Sequence, residues 1–163
     1  MSIEQLMAKA SQAAASARIL LQSGDSAGAC NRAYYAMFDA ASAALVAAGA
    51  PNAPEKTRTH SGMIHAFSLH VIKTGWLPKE FGQRLSRAHE LRLIADYKGD
   101  PVEVSDALTI VEQAESFVSG VERDSRLHPV RVLRRGRAAD PHMARTRHIW
   151  QTCTGSGIHR CTN

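Results

Sequence analysis

The stretch SAGACNRAYYAMFDAASAALVAA, residues 26–48, decides the fold of this chain. It is apolar on most sides, and Gly49 follows it as a natural helix end. A helix that is hydrophobic nearly all round is buried, and its many alanines allow neighbouring helices to approach closely. We therefore expect residues 26–48 to form the central helix of a helical protein.

The segment before this helix also has a helical pattern. Ser2 and Gln5 have the spacing of a capping box, in which each side chain binds the other residue's backbone N–H. Apolar residues then recur every three or four positions until SGD at 23–25. The sequence predicts a first helix over this span.

Three further helices are predicted downstream. One covers about 59–73, the next opens at Pro78 and stops at Gly99, and the last follows a predicted cap at Ser105. No segment alternates convincingly as a strand does. The fold class is therefore predicted to be an all-α antiparallel bundle of four to five helices over residues 2–125.

The remaining segment, residues 126–163, differs in composition. It carries eight arginines and a single acidic residue, a net charge of +7, whereas residues 1–125 have a net charge of −2. It shows no sustained period and is rich in Gly, Pro and His. We interpret it as a basic tail that is disordered or non-native, so the overall charge of +5 is no evidence that the bundle binds nucleic acid.

Three cysteines are too few and too scattered for a disulfide framework. No apolar run approaches the roughly 20 residues that span a bilayer. The first residues, MSIEQLMAKA, lack the basic and apolar regions of a signal peptide. These features predict a cytoplasmic protein with no membrane association.

The stretch LRLIADYKGD, residues 91–100, places a charged residue on an apolar stripe. Arg92 shares the face of Leu85, Ala88 and Ala95, and a buried guanidinium requires partners. Asp96, one turn later, is the obvious candidate. Arg92 is therefore either a structural ion-pair residue or part of a functional cleft.

The central helix contains a second polar group. Asn31 and Tyr35 share one face, with Arg32 between them. They are either part of an aromatic core with hydrogen-bonded tips, or they line the same cleft as Arg92.

The histidines do not predict a metal site. His60, His65 and His70 are five residues apart, which spreads them around a helix. The His and Cys residues of the tail match no ligand spacing, and no phosphate-binding loop or dinucleotide fingerprint occurs. We predict neither a metal nor a cofactor.

Five pieces in order, NRAYYAMFDAASAAL, HSGMIHAF, VIKTG, LRLIADY and DALTIVEQAESFV, resemble the HEPN superfamily over residues 2–122. The resemblance implies a helical bundle that dimerises about a two-fold axis. It also implies a minimal nucleotidyltransferase as a partner, and many such proteins are toxin ribonucleases. The family arginine matches Arg92, which would hold the scissile phosphate of an RNA.

In the family pattern a histidine follows the arginine as the general base. Here Leu93 follows Arg92, and Tyr97, preceded by Asp96, stands near the place of the histidine. The expected catalytic residues are therefore Arg92, Asp96 and Tyr97. Two functions follow: a metal-independent endoribonuclease of a toxin–antitoxin pair, or a non-catalytic module that binds a nucleotidyltransferase or a nucleotide.

Overall fold

The computed structural model describes residues 1–50, 59–95 and 102–124. This part of the chain forms five α-helices and contains no β-strand, which confirms the all-α prediction. The helices are α1 Ile3–Gln22, α2 Ser26–Ala47, α3 His60–Phe67, α4 Lys79–Leu93 and α5 Val104–Arg123.

The predicted capping box at the start of α1 is present. The Ser2 amide donates to Gln5 Oε1 at 2.9 Å, and the Gln5 amide donates to Ser2 Oγ at 3.2 Å. Each bond satisfies an amide that the first helical turn leaves without a backbone partner. The cap fixes where α1 begins.

The predicted cap at Ser105 is wrong. A cap at Ser105 would start the helix at Asp106, but α5 begins two residues earlier, at Val104, so Ser105 already lies inside its first turn. A cap residue needs non-helical backbone angles, and Glu103 has them, with φ −61° and ψ 138°. Glu103 makes no side-chain capping bond. Its position therefore carries no capping pattern that could be recognised in the sequence.

Helix α3 has an irregular end. The hydroxyl of Thr59 accepts from the Gly62 amide at 3.1 Å and caps its start. The helix then continues as a π-helical turn, Ser68–Ile72, and the chain reverses at Gly75, whose φ of +74° favours glycine. The single helix predicted over about 59–73 is thus present but contains a wider turn.

Helix α2 is the centre of the bundle and packs against all four other helices. The link to α1 is only three residues long, so these two helices are antiparallel neighbours. The core is rich in alanine, and its largest buried side chains are Tyr34, Phe67, Phe117, Met37, Leu45, Met63, Leu85 and Ile110. A Cβ added at Gly120 of α5 would lie 2.6 Å from Phe81 Cζ, so glycine allows this ring to approach α5. Within the described residues no helix is long and apolar enough to cross a membrane.

Candidate functional site

Arg92 lies in the last turn of α4 and is half-buried. Its Nη1 is 3.1 Å from Nε2 of His60, the first residue of α3. A guanidinium has only hydrogen-bond donors, so Nε2 must be the acceptor. The structure thus pairs Arg92 with a histidine from a different helix.

The other ring nitrogen of His60 is also engaged. His60 Nδ1 lies 2.8 Å from the hydroxyl oxygen of Tyr34, a fully buried residue of α2. Because Nε2 accepts from Arg92, the proton of a neutral imidazole must be on Nδ1, which then donates to Tyr34. The two contacts therefore fix both the tautomer and the orientation of the His60 ring.

Aromatic rings surround this hydrogen-bonded chain. His60 stacks on His89 of α4, with 5.6 Å between ring centroids and 25° between planes. The guanidinium carbon of Arg92 is 5.6 Å from the Tyr34 ring centroid and 5.5 Å from that of Tyr35. Such contacts stabilise a partly desolvated cation. We call Tyr34, His60, His89 and Arg92 the Arg–His cluster.

The environment of the cluster disfavours a second positive charge. Burial, and then the nearby Arg92 and His89, lower the pKa of His60. Burial and Arg92 likewise lower the pKa of His89. Burial raises the pKa of Tyr34, so its phenol stays protonated. At neutral pH the cluster therefore holds one cation, Arg92, beside a neutral imidazole, the form of histidine that accepts a proton.

A pocket of about 260 Å³ lies beside the cluster, between α1 and α2. Its charged residues are Lys9, Arg32 and Asp39, and Lys9 Nζ is 3.4 Å from Asp39 Oδ1. Burial raises the pKa of Asp39, while Lys9 acts in the opposite direction. The other lining residues are Gln12, Ala13, Tyr35 and Phe38.

The residues singled out from the sequence fall into three groups. The structure brings Tyr35 against Arg92 and places Arg32 with Tyr35 in the pocket. Asn31 is half-buried on the same helix and does not line the pocket. Asp96 and Tyr97 lie outside the described residues, so their roles remain predictions.

Sequence reasoning missed His60 as a site residue. The even spacing of the histidines only indicates whether they can bind a metal, and it predicts no metal site. In the described part of the chain no group of three or more His, Cys, Asp or Glu residues has a metal-binding arrangement. Two signals pointed to His60: it follows a threonine that can cap a helix, and it opens the segment HSGMIHAF that carries part of the resemblance.

The fold and the cluster define a class of small helical-bundle proteins with an arginine near the end of the fourth helix. Residues 3–124 match the HEPN domain, and the chain belongs to this family. It is 31% identical over 121 residues to a protein of Methanocaldococcus jannaschii described as a candidate toxin, covering 74% of this chain and 87% of that one. A UPF0332 protein of Gloeobacter violaceus is 34% identical over 117 residues, with 71% and 89% covered. One of Thermotoga maritima is 33% identical over 123 residues, with 74% and 89% covered.

Proposed function

We propose that this toxin-like HEPN protein is an endoribonuclease that needs no metal ion. The observation that carries the proposal is the contact between Arg92 Nη1 and His60 Nε2 at 3.1 Å. It supplies, across two helices, the arginine and histidine that the family pattern places in one segment. An arginine can bind a phosphate, and a neutral histidine can accept a proton from a ribose hydroxyl.

In the resting state Arg92 donates to the nitrogen that the base would use. A bound RNA phosphate is a stronger acceptor than an imidazole, because the hydrogen bond then joins opposite charges. We expect Arg92 to move its donor to the phosphate and leave His60 Nε2 free. Phosphate binding would thus expose the base only when a substrate is present.

The reaction that follows is an internal transesterification. His60 Nε2 takes the proton of the ribose 2′-hydroxyl, and the 2′-oxygen attacks the adjacent phosphorus. The bond from phosphorus to the 5′-oxygen of the next nucleotide breaks, and that oxygen takes a proton from water. The hydroxide left behind takes the proton from His60 Nε2, which restores the neutral imidazole. The products are a 2′,3′-cyclic phosphate and a free 5′-hydroxyl, with Arg92 stabilising the charge that develops on the phosphate.

Tyr34 is a positioning residue in this scheme. Its oxygen is 2.8 Å from His60 Nδ1 and can accept the Nδ1 proton, which becomes more acidic when the ring is protonated. A neutral phenol stabilises the imidazolium less than a carboxylate would. Tyr34 therefore affects the cleavage rate mainly by orienting the His60 ring.

A binding function is the second candidate, and one observation favours it. The guanidinium of Arg92 already has His60 as a partner and lies near the rings of Tyr34 and Tyr35. Such contacts are also typical of an arginine that only joins two helices. In that case the protein would bind a nucleotidyltransferase or a nucleotide without cleaving RNA.

Cleavage of a labelled RNA by the purified full-length protein distinguishes the two functions. We expect chelator-resistant cleavage that Arg92→Ala abolishes and that His60→Ala lowers by about 10²–10⁴-fold. His65→Ala is the matched control, because His65 is an exposed histidine of the same helix. Expression should arrest growth for the native protein and the His65 variant but not for Arg92→Ala. Clean protein that neither cleaves RNA nor arrests growth contradicts the ribonuclease proposal.

We further propose a two-fold homodimer in which two Arg92 sites share one cleft, with a minimal nucleotidyltransferase as the antitoxin. The family resemblance and the half-buried position of Arg92 support the dimer. Light scattering coupled to size-exclusion chromatography tests it. A monomer at tens of micromolar would remove the shared cleft while leaving the Arg–His cluster within each chain.

A further inference from the structure

The pocket between α1 and α2 combines a carboxylate, two cations and two aromatic rings. We propose that it binds a guanine base of the RNA strand whose phosphate lies at Arg92. This inference rests on the proposed function, because it assigns the base next to the scissile phosphate. It adds a specificity site to the cluster that carries the chemistry.

Asp39 selects the base in this proposal. Its side chain is only 12% exposed, and its ion pair with Lys9 involves Oδ1. Oδ2 has no hydrogen-bond donor within residues 1–50, 59–95 and 102–124. Oδ2 is therefore free to accept hydrogen bonds from a molecule in the pocket, and each carboxylate oxygen can accept more than one.

Guanine is the base that complements a carboxylate best. Its N1–H and its 2-amino group point in the same direction and reach two oxygens at once. Adenine and cytosine place an acceptor nitrogen beside their amino group, and uracil offers a single N–H between two carbonyl oxygens. A lone pair facing Asp39 is repelled, so the other three bases bind less well.

The aromatic residues and the volume fit a single base. Tyr35 and Phe38 provide flat surfaces of the kind on which bases stack. The pocket volume of about 260 Å³ is below the roughly 300–1,000 Å³ of sites that enclose drug-sized ligands, so the sugar and phosphate would remain outside. Tyr35 also lies 5.5 Å from the guanidinium carbon of Arg92, which places the pocket next to the proposed phosphate position.

Two cations at the rim are available for the backbone of the strand. Arg32 is exposed and makes no ion pair within the described part of the chain, and the Lys9 side chain is 55% exposed. Arginine binds phosphate through two parallel hydrogen bonds, and lysine binds it as a point charge. In one pocket, the base would therefore donate hydrogen bonds to the Asp39 carboxylate, and a phosphate would pair with the cation of Arg32 or Lys9.

Calorimetric titration of the full-length protein with single nucleotides tests the inference. We expect guanosine monophosphate to bind at least about tenfold more tightly than inosine monophosphate, which lacks only the 2-amino group, because one charge-assisted hydrogen bond is lost. Adenosine, cytidine and uridine monophosphates should bind more weakly still. The comparison uses the native protein and does not depend on how any variant folds.

Asp39→Asn should abolish the preference for guanosine over inosine, because an amide presents a donor where the base also donates. The matched control is Glu115→Gln, which breaks a different ion pair of α1, between Arg18 Nη2 and Glu115 Oε2 at 2.6 Å, away from the pocket. This control should keep the preference.

Equal affinities for the guanosine and inosine nucleotides, or no binding of either, overturn the pocket assignment. Retention of the preference in Asp39→Asn also overturns it. RNA cleavage that depends on Arg92 but shows no preference for guanine leaves the ribonuclease standing and removes the pocket. Selective binding of guanosine monophosphate without any RNA cleavage keeps the pocket and removes the ribonuclease.

Discussion

His60 Nε2 accepts a hydrogen bond from Arg92 Nη1 although 32 positions of sequence separate the two residues. The bond joins the first residue of α3 to the last turn of α4, and Tyr34 of α2 holds the opposite side of the imidazole. Three helices thus meet at one histidine. Changes at any of the three residues should affect both the stability of the bundle and the state of the site.

Removing the Tyr34 hydroxyl should destabilise the protein. Tyr34→Phe leaves the Nδ1 proton of His60 without its acceptor, and an unsatisfied buried donor costs about 1–3 kcal/mol. Urea denaturation measures the change in the free energy of unfolding. Tyr35→Phe is the control, because its hydroxyl makes no hydrogen bond within the described residues, and it should change the value by less than about 0.5 kcal/mol. Equal effects of the two substitutions would show that the Tyr34–His60 bond adds nothing.

Lysine should not replace arginine at position 92. A lysine ammonium is a point charge without the planar fork, so it cannot hold a phosphate through two parallel bonds while lying near the rings of Tyr34 and Tyr35. We expect Arg92→Lys to keep the fold, as judged by circular dichroism, but to lose most RNA cleavage. Full activity of this variant would mean that only the charge of Arg92 matters.

Stability should fall as the solution is acidified below pH 6.5. The pKa values of His60 and His89 are lowered in the folded protein from an ordinary value of 6.5, so the unfolded chain binds protons that the folded chain does not. The stabilisation is fully present above pH 6.5 and is lost as the pH falls towards the lowered pKa values. Thermal unfolding midpoints measured from pH 7.5 downward should show this decline.

Substitution of the histidine should reduce this dependence on pH. His60→Gln removes one of the two imidazoles whose pKa is lowered and should flatten the curve. A midpoint that rises on acidification from pH 7 to pH 6 would contradict the lowered pKa values. NMR titration of the imidazole resonances measures the same shift directly.

Alanine at position 120 should destabilise the bundle despite its higher helix propensity. The propensity gain is about 1 kcal/mol, but the new Cβ would lie 2.6 Å from Phe81 Cζ, and overpacking costs about 1–3 kcal/mol. The net expectation for Gly120→Ala is a loss of up to about 2 kcal/mol. Gly82→Ala is the control, because its Cβ would meet only Ile72 Cγ1 at an ordinary 3.5 Å, and it should be neutral or stabilising.

A double variant isolates the contact between the two helices. Gly120→Ala introduces a methyl group that would contact the Phe81 ring, and Phe81→Leu replaces this ring by a shorter side chain. The loss of unfolding free energy in the double variant should therefore be smaller than the sum of the losses in the two single variants. A coupling energy of at least about 0.5 kcal/mol is expected for residues in contact. Strict additivity would mean that the Phe81 ring moves aside at no cost.

The features that the sequence predicted correctly are local ones. The apolar stretch at 26–48 became the central helix, and Ser2 with Gln5 formed the expected cap. The half-buried position of Arg92 also followed from its place on the helical stripe. Each depends on residues within a few turns of one another, and the periodicity of the chain reports such relationships directly.

The features that were missed depend on how the helices pack. Nothing in the spacing of the histidines indicates that His60, rather than His65 or His70, meets Arg92, because that contact joins two separate helices. The sequence suggested Asp96 as a partner of Arg92, which stays a prediction because Asp96 lies outside the described residues; His60 is a partner that the sequence did not suggest. The π-helical turn likewise accompanies packing, since Phe67 just before it and Val71 within it are buried while Leu69 is 40% exposed.

Because of that π-helical turn, Ser68–Ile72, we expect this region of the chain to tolerate insertions and deletions poorly. A π turn behaves as one extra residue within an α-helix, and each residue of an α-helix advances the chain by about 100° and 1.5 Å. Deletion of Leu69 would restore a regular helix while rotating everything that follows, so α4 would bring Arg92 to a different side of His60. Relatives should therefore keep a fixed number of residues from the histidine through this turn. A Leu69 deletion variant whose His60 pKa matches that of the native protein would contradict this view.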